Sequence, residues 1–260
     1  VPEVLWDGKT EIALGDGSCV PAGKTVTVTG DIVIDGKLTI EGKLIVEPNA
    51  TLTITENAVI VGEENIEYKT CDGGEGCCSK TFTDLNTYAW YHAYTDYVIA
   101  KGLMNGMDKT HFAPEGNLTR GMLVTTLYRL AGEPEVTEPA TFTDVAQGRY
   151  YTDAVAWAED LGIAKGMTET QFAPEKTVSR EQAAAFLYRF VTLYLEQEPG
   201  KGADLGVFKD SKVMEYAKTA MSWAVAEGFF EGYGDGTLRP TASLTRAQMA
   251  KLLTILDQNF

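Results

Sequence analysis

Three arginines stand where a chain could grip an acid. Each directly follows a hydroxyl or hydroxyl-like position: Thr119-Arg120, Ser179-Arg180 and Thr245-Arg246. A guanidinium offers a planar fork of donors that matches a carboxylate. At the first turn of a helix it would sit beside unpaired backbone N–H groups and the positive end of the helix dipole. A cation placed there works against the dipole, so an anion is needed close by. The internal candidates are Asp84, Asp144 and Asp210, and a carboxylate on a ligand is the other source. Tyr97, Trp157 and Trp223 share one position relative to these groups. Their faces could take a sugar ring, or they could seal the packing between neighbouring segments, as large aromatics commonly do.

These groups recur with a period. Phe82, Phe142 and Phe208 each stand 38 residues before one of the arginines, and Pro114, Pro174 and Pro240 stand six before. The glycine pairs Gly102/Gly106, Gly162/Gly166 and Gly228/Gly232 keep the same register. The units start 60 and then 66 residues apart, with the extra length in a linker. Fold and function are therefore to be argued per repeat.

Each repeat predicts two helices around a loop. In the third, Ala217, Ala220, Met221 and Ala224 make one apolar stripe, and Gly228 supplies the stop. The second helix is capped by Thr119, Ser179 or Thr245, with Gln182 and Gln248 placed to complete a capping box and Met122 unable to. Its stripe is Met249, Leu252, Leu253 and Leu256 in the third unit, and Ala183, Phe186, Leu187 and Phe190 in the second. In the first it is Leu123, Leu127 and Leu130, with Thr126 intruding. The arginines lie three and seven residues ahead of stripe positions, so they should point inward rather than to bulk water.

Residues 1–80 predict an all-β segment. Apolar residues alternate at Val26, Val28, Ile32, Ile34, Leu38, Ile40, Leu44, Val46, Leu52, Ile54, Val59 and Val61. Gly30, Gly36 and Gly42 punctuate it every six residues. A β-solenoid with glycines at its corners fits, and so does a short meander with tight turns at Asp35-Gly36 and Glu41-Gly42. Residues 62–81 read as a Cys/Gly hinge.

Composition narrows the function. The 260 residues carry a net charge of −15, spread over both parts: 14 acidic and 6 basic side chains in 1–80, 23 and 16 in 81–260. That excludes a nucleic-acid binder of the usual basic kind. No apolar run reaches membrane-spanning length. The opening Val1-Pro2-Glu3 suggests a segment of a longer protein. All four cysteines (Cys19, Cys71, Cys77 and Cys78) precede residue 80. Structural disulfides are favoured over free thiols. Zinc is set last, because the cysteines lack a C-x2-4-C partner pair and a nearby histidine. Catalysis lacks a signal: His92 and His111 do not recur between units, and no G-x-S-x-G, H-E-x-x-H or P-loop pattern occurs. Gly234-Asp235-Gly236 reads as a turn rather than a calcium loop. No catalytic residue, metal or cofactor is expected.

Taken together, Phe208-Lys209-Asp210, Trp223-Ala224, Gly232-Tyr233-Gly234-Asp235-Gly236-Thr237-Leu238-Arg239-Pro240 and Thr245-Arg246-Ala247-Gln248 resemble the S-layer homology (SLH) domain. The resemblance covers about 81–260 as three tandem units, 82–132, 142–195 and 208–260. The family's Thr-Arg-Ala-Glu motif reads Thr119-Arg120-Gly121-Met122, Ser179-Arg180-Glu181-Gln182 and Thr245-Arg246-Ala247-Gln248, keeping the arginine and losing the glutamate. The resemblance implies an all-α, pseudo-threefold bundle whose grooves hold a secondary cell-wall polysaccharide or peptidoglycan-linked glycan, often pyruvylated. Its expected contacts are Arg120, Arg180 and Arg246, with Trp157, Trp223, Tyr97, Asp84, Asp144, Asp210, Gly106, Gly166 and Gly232. The implied role is non-covalent anchoring at the bacterial cell surface, with the first unit the weakest groove. Replacing all three arginines with alanine is expected to abolish wall binding and leave the fold intact. The alternatives are an adhesin or self-assembling layer protein using the β segment, or a glycan hydrolase.

Overall fold

In the computed structural model, residues 4–6, 18–29, 32–34, 36–46, 52–54, 58–68, 77–87 and 89–260 are described. The chain divides into two compact units, 1–101 and 102–260.

The first unit holds nine short strands: β1 (Val4–Trp6), β2 (Ser18–Val20), β3 (Thr25–Val28), β4 (Ile32–Ile34), β5 (Lys37–Ile40), β6 (Lys43–Val46), β7 (Leu52–Ile54), β8 (Val59–Val61) and β9 (Ile66–Tyr68). They form three sheets, β1-β3-β6-β9, β2-β5-β8 and β4-β7, and every pairing is parallel. Tight hairpins would have made antiparallel neighbours. Instead β5 and β6, which flank Glu41-Gly42, lie in different sheets, so the meander is excluded here. Val26, Val28, Ile32, Ile34, Leu38, Ile40, Leu44 and Val46 form the buried core as the alternation predicts. At Gly42 a Cβ would overlap the Pro21 and Lys24 carbonyls, which is why glycine stands at that corner.

Two expectations fail here. Val59 and Val61 are exposed, and Ile60 faces inward opposite Leu38. Leu52, Ala58, Ile60 and Ile66 pack on the core in the same phase as Leu44 and Val46, so the change of phase expected between Ile54 and Val59 does not occur, and with a side-chain period of two Val59 and Val61 fall on the outer face. The stretch expected to be a hinge also begins in regular structure: a 3-10 turn at Glu63–Asn65 and then β9, paired with β6. The glycine-rich run 71–76 lies outside the described residues. Cys19 is an exposed free thiol, so the four cysteines do not form two disulfides. Cys71 and the side chain of Cys78 lie outside the described residues.

After a 3-10 turn at Cys78–Thr81, helix α1 (His92–Ala100) ends the first unit. The second unit contains α2 (Arg120–Leu130), α3 (Thr152–Asp160), α4 (Arg180–Arg189, continued by a π turn over Phe190–Tyr194), α5 (Lys218–Ala226) and α6 (Arg246–Asn259). The helix boundaries follow the predicted signals. Thr119, Ser179 and Thr245 cap α2, α4 and α6, each accepting from the backbone N–H three residues on. Gln182 and Gln248 complete capping boxes, and α2, with Met122, has none. Gly162 and Gly228 stop α3 and α5 with positive φ. The predicted stripes are buried, including Met249, Leu252, Leu253 and Leu256, except that Leu130 at the end of α2 is half-buried. Thr126 is buried too, its hydroxyl donating to the Leu123 carbonyl at 2.7 Å.

The three cap segments are tied in a ring. Leu118 N–H donates to Leu244 O, Leu244 N–H to Val178 O, and Val178 N–H to Leu118 O, at 2.8, 2.9 and 3.0 Å. Each segment thus meets both others, and the helix that follows each cap starts at the same closed junction.

The second glycine of the second and third pairs, Gly166 and Gly232, serves close approach. At Gly166 a Cβ would overlap the Thr168 carbonyl and come within 2.7 Å of the Phe142 ring and 2.8 Å of the Gln171 carbonyl. Two of these neighbours are backbone and cannot swing away. Gly166→Ala should therefore lower stability by about 2 kcal/mol in denaturant unfolding.

Candidate functional site

The three motif arginines are buried, at 3–5% exposure. Each reaches across to the loop of a different repeat. Arg120 donates from Nε to Phe172 O (2.8 Å) and from Nη2 to Lys165 O (2.8 Å). Arg180 donates likewise to Leu238 O (3.0 Å) and Glu231 O (2.9 Å), and Arg246 to Phe112 O (2.7 Å) and Asn105 O (2.6 Å). Backbone bonds run beside them: Arg120 N–H to Lys176 O, Arg180 N–H to Ala242 O and Arg246 N–H to Gly116 O. Each guanidinium also lies over an aromatic ring, 4.5 Å from Phe172, 4.7 Å from Phe230 and 4.6 Å from Phe112. Where the third unit has Leu238 in place of phenylalanine, Phe230 supplies the ring. Burial pushes the Arg120 pKa down to about 10, which leaves it charged at neutral pH.

The charge question raised by the sequence is thus answered by carbonyl oxygens. Asp144 and Asp210 do something else. Asp144 accepts from Phe172 N–H (2.8 Å) and Ala173 N–H (2.7 Å), and Asp210 from Leu238 N–H (2.6 Å) and Arg239 N–H (2.9 Å). Ala173 and Arg239 precede prolines and hold positive φ of 59° and 53°. A non-glycine residue in that conformation is strained. The aspartate pins the turn, and the turn in turn aims the Phe172 or Leu238 carbonyl at the arginine. Asp84 lies half-buried in the first unit.

Asp210 is held below the usual carboxylate range, first by the Leu238 N–H and then by Arg239 N–H against the opposing effect of burial. A carboxylate whose folded pKa is depressed contributes its stability in full above its unfolded pKa, about 3.9, and loses it as pH falls through the folded value. Unfolding midpoints should therefore drop below about pH 4, and the drop should be shallower in Asp210→Asn.

Two cavities flank the arginines. One, of about 270 Å³, is lined by Asn105, Gly106, Met107, Met122, Arg129, Tyr150 and Arg246, among others. The second, of about 500 Å³, is lined by Lys165, Gly166, Met167, Gln182, Arg189, Tyr216 and Arg120, among others. These two sets are the same repeat positions, one unit apart, with the motif arginine supplied from another unit. Tyr150 and Tyr216 are about half exposed, as are Met107 and Met167 to a similar extent. Arg129 and Arg189 also brace the junction, donating from Nη1 to Leu103 O (3.4 Å) and Ile163 O (3.2 Å). Glu181 Oε2 accepts from Met214 N–H at 3.0 Å and so fixes the loop that carries Tyr216. Each cavity thus joins two guanidinium groups, an exposed phenol ring and a glycine, with no carboxylate among its lining residues.

Of the residues singled out in sequence, Arg246 with Gly106, and Arg120 with Gly166, come together at cavities. Trp157 and Trp223 line neither. Trp157 packs 5.5 Å from both Tyr128 and Tyr194, and Trp223 5.0 Å from Phe229 and 5.5 Å from Tyr188. Trp223 is 1% exposed, and its indole N–H is buried without a hydrogen-bond partner. Tyr97 is buried on α1, with Lys101 Nζ 5.2 Å from its ring centre. Gly232 meets the Phe208 ring. The sequence reading missed Tyr150, Tyr216, Arg129 and Arg189. Their signal was available: the tyrosines stand eight residues after the opening phenylalanine, where the first unit has Trp90, and the arginines stand nine after the motif arginine. Asp235, in the glycine-rich loop, accepts from Thr237 N–H and Arg239 Nη2, as a simple turn does.

Comparison with known proteins agrees with the repeat. Residues 81–121, 141–184 and 207–250 match the S-layer homology domain. The chain is 29% identical to the S-layer protein sap of Bacillus anthracis over 70% of its own length and 22% of the relative's. It is 28% identical to an endoglucanase of Bacillus sp. (strain KSM-635) over 67% of the chain and 18% of the enzyme. It is 27% identical to a cellulosome-anchoring protein of Acetivibrio thermocellus over 59% and 34% respectively. The chain therefore spans from about a fifth to about a third of each of these relatives. Among the described residues no helix is long and apolar enough to cross a membrane. With the three-unit register, the ring of cap segments and the three family matches in agreement, the chain belongs to the S-layer homology family as three tandem domains of a bacterial cell-surface protein.

Proposed function

We propose that this chain anchors a longer surface protein non-covalently to the bacterial cell wall by binding an anionic secondary cell-wall polysaccharide, such as one bearing pyruvyl ketals. The carrying observation is the pair of register-equivalent cavities, each with two guanidinium groups beside an exposed tyrosine. A sugar ring stacks on the phenol, and its acid group meets the cations against the chain's overall negative field. Arg120, Lys165 and Arg189 make the larger cavity the more cationic. Arg129 of the smaller one is partly engaged by Glu133 at 3.7 Å. The first-unit groove is accordingly the weaker of these two. At the position of Arg129 and Arg189 the third unit carries Ile255.

In this reading 81–260 is one pseudo-threefold helical domain, supported by the ring of bonds among Leu118, Val178 and Leu244. Residues 1–80 are a β-solenoid segment in this reading, supported by the parallel pairing of its strands. Asp144 and Asp210 are committed to backbone amides, whereas glycoside hydrolysis takes a pair of carboxylates facing the scissile bond. This favours binding over catalysis. The cellulosome-anchoring relative fits a wall-attached role, and in the endoglucanase relative a similar segment accompanies an enzyme.

The test is sedimentation of the full chain with purified cell walls carrying their acidic substituents, against walls stripped of them. Stripping should weaken binding at least about tenfold, equivalent to ~1.4 kcal/mol. Equal binding to both would refute an acid-directed site.

A further inference from the structure

The first repeat carries a buried cluster that the other two lack. Cys77, His92 and Asp96 are 5%, 6% and 1% exposed, and one ligating atom of each lies within 4.8 Å of the others. All three belong to the first compact unit. His92 and Asp96 are four residues apart on α1, and Cys77 immediately precedes the 3-10 turn at Cys78–Thr81. At the matching positions of the second and third repeats stand Thr152 with Ala156, and Lys218 with Ser222. The helix therefore does not need a buried histidine and carboxylate in order to pack. Reading along the chain, no histidine is close to the cysteines. The fold brings one there.

From this geometry we propose that Cys77, His92 and Asp96 form a zinc site that staples α1 to the segment before it. The interatomic distances decide between the available chemistries. Sγ of Cys77 is 3.8 Å from His92 Nε2 and 3.5 and 3.6 Å from the Asp96 oxygens, and Nε2 is 3.4 Å from Asp96 Oδ2. A tetrahedral zinc with ordinary bond lengths to sulfur, imidazole and carboxylate sets those edges at about 3.6, 3.5 and 3.3 Å. The three atoms already make one face of that tetrahedron. A nucleophilic triad demands something different: the carboxylate must hold the imidazole nitrogen opposite the one facing the thiol. Here sulfur and carboxylate both approach Nε2, so the three groups converge on a point rather than forming a relay. Burial of all three marks a structural rather than a catalytic centre. Among the described residues no further His, Cys, Asp or Glu joins the cluster, and the fourth vertex falls to water or another oxygen or nitrogen donor. On binding, the Cys77 thiol gives up its proton to solvent, the sulfur–zinc bond forms, and the imidazole binds through its neutral Nε2.

The experiment uses the full chain, reduced and stripped of metal, titrated with cobalt(II) and then zinc. The proposal expects one equivalent of cobalt with the intense visible bands of tetrahedral coordination and a sulfur-to-cobalt charge-transfer band, both displaced by zinc. Cys77→Ser and His92→Gln should abolish the bands, and Cys19→Ser should retain them. Absence of bands in the unaltered chain, or bands that survive His92→Gln, overturns the site. If the variants do not fold, X-ray absorption of the zinc-loaded unaltered chain decides. One sulfur with imidazole scattering supports the site, and no sulfur, or two or more, refutes it.

Discussion

Replacing Arg120 with alanine should destabilise the helical part by roughly 3–5 kcal/mol, with similar losses at Arg180 and Arg246. The reasons are local. The guanidinium satisfies the carbonyls of Phe172 and Lys165 in a region where it is only 3% exposed. Removing it leaves both oxygens without their donor and a hole beside the Phe172 ring. Lysine cannot repair this, because one ammonium does not span two carbonyls as the fork does. The triple alanine variant should fail to fold cooperatively. This reverses the expectation that these arginines could be removed with the fold intact. Chemical denaturation followed by helical circular dichroism measures it, and a loss under 1 kcal/mol for the single Arg120→Ala variant would contradict the assignment.

The second large effect belongs to groups that can be changed without that penalty. The paired variant Arg189→Gln/Tyr216→Ala alters the larger cavity, and Arg129→Gln/Tyr150→Ala the smaller. Tyr150 and Tyr216 are about half exposed, and each Arg129 or Arg189 makes a single long bond to a carbonyl that glutamine can still reach in part. Stability should fall by about 1–2 kcal/mol per pair. Wall binding should fall far more. Losing a stacked ring and one charge-assisted contact removes roughly 2–4 kcal/mol per groove, or about 30- to 1,000-fold in affinity. The larger cavity should account for most of that loss, because it also carries Lys165.

Much of this molecule could be read before its coordinates. Cap residues, capping boxes and stripes are local chemistry, and Thr119, Ser179, Thr245, Gln182 and Gln248 behaved as their types dictate. That the arginines face inward followed from their phase with the stripe. Their partners did not follow, because a carbonyl acceptor leaves no trace in residue type. The Phe-x-Asp signature was visible as a pattern, yet its purpose depends on the positive φ at Ala173 and Arg239, a sign that side-chain identity does not reveal before a proline. The aromatic residues left both readings open. Trp157 and Trp223 sit within helices among other rings, while Tyr150 and Tyr216 sit just ahead of helices and face the cavities. Both sets recur in register, so the repeat alone could not rank them. In the β part the inward set keeps one phase from Val46 through Leu52 to Ile60, and the apolar Val59 and Val61 stand on the outer face, where residue type alone could not place them.

The central claim, that acidic wall substituents are read by the cationic cavities, is tested most directly by a two-by-two affinity comparison. The unaltered chain and the variant with both cavities changed are each titrated with native wall polymer and with polymer stripped of acidic groups, after matched folding is confirmed. The account predicts that stripping weakens the unaltered chain at least about tenfold and leaves the variant nearly unaffected. An equal loss in both proteins would show that the acid is read elsewhere and would contradict it.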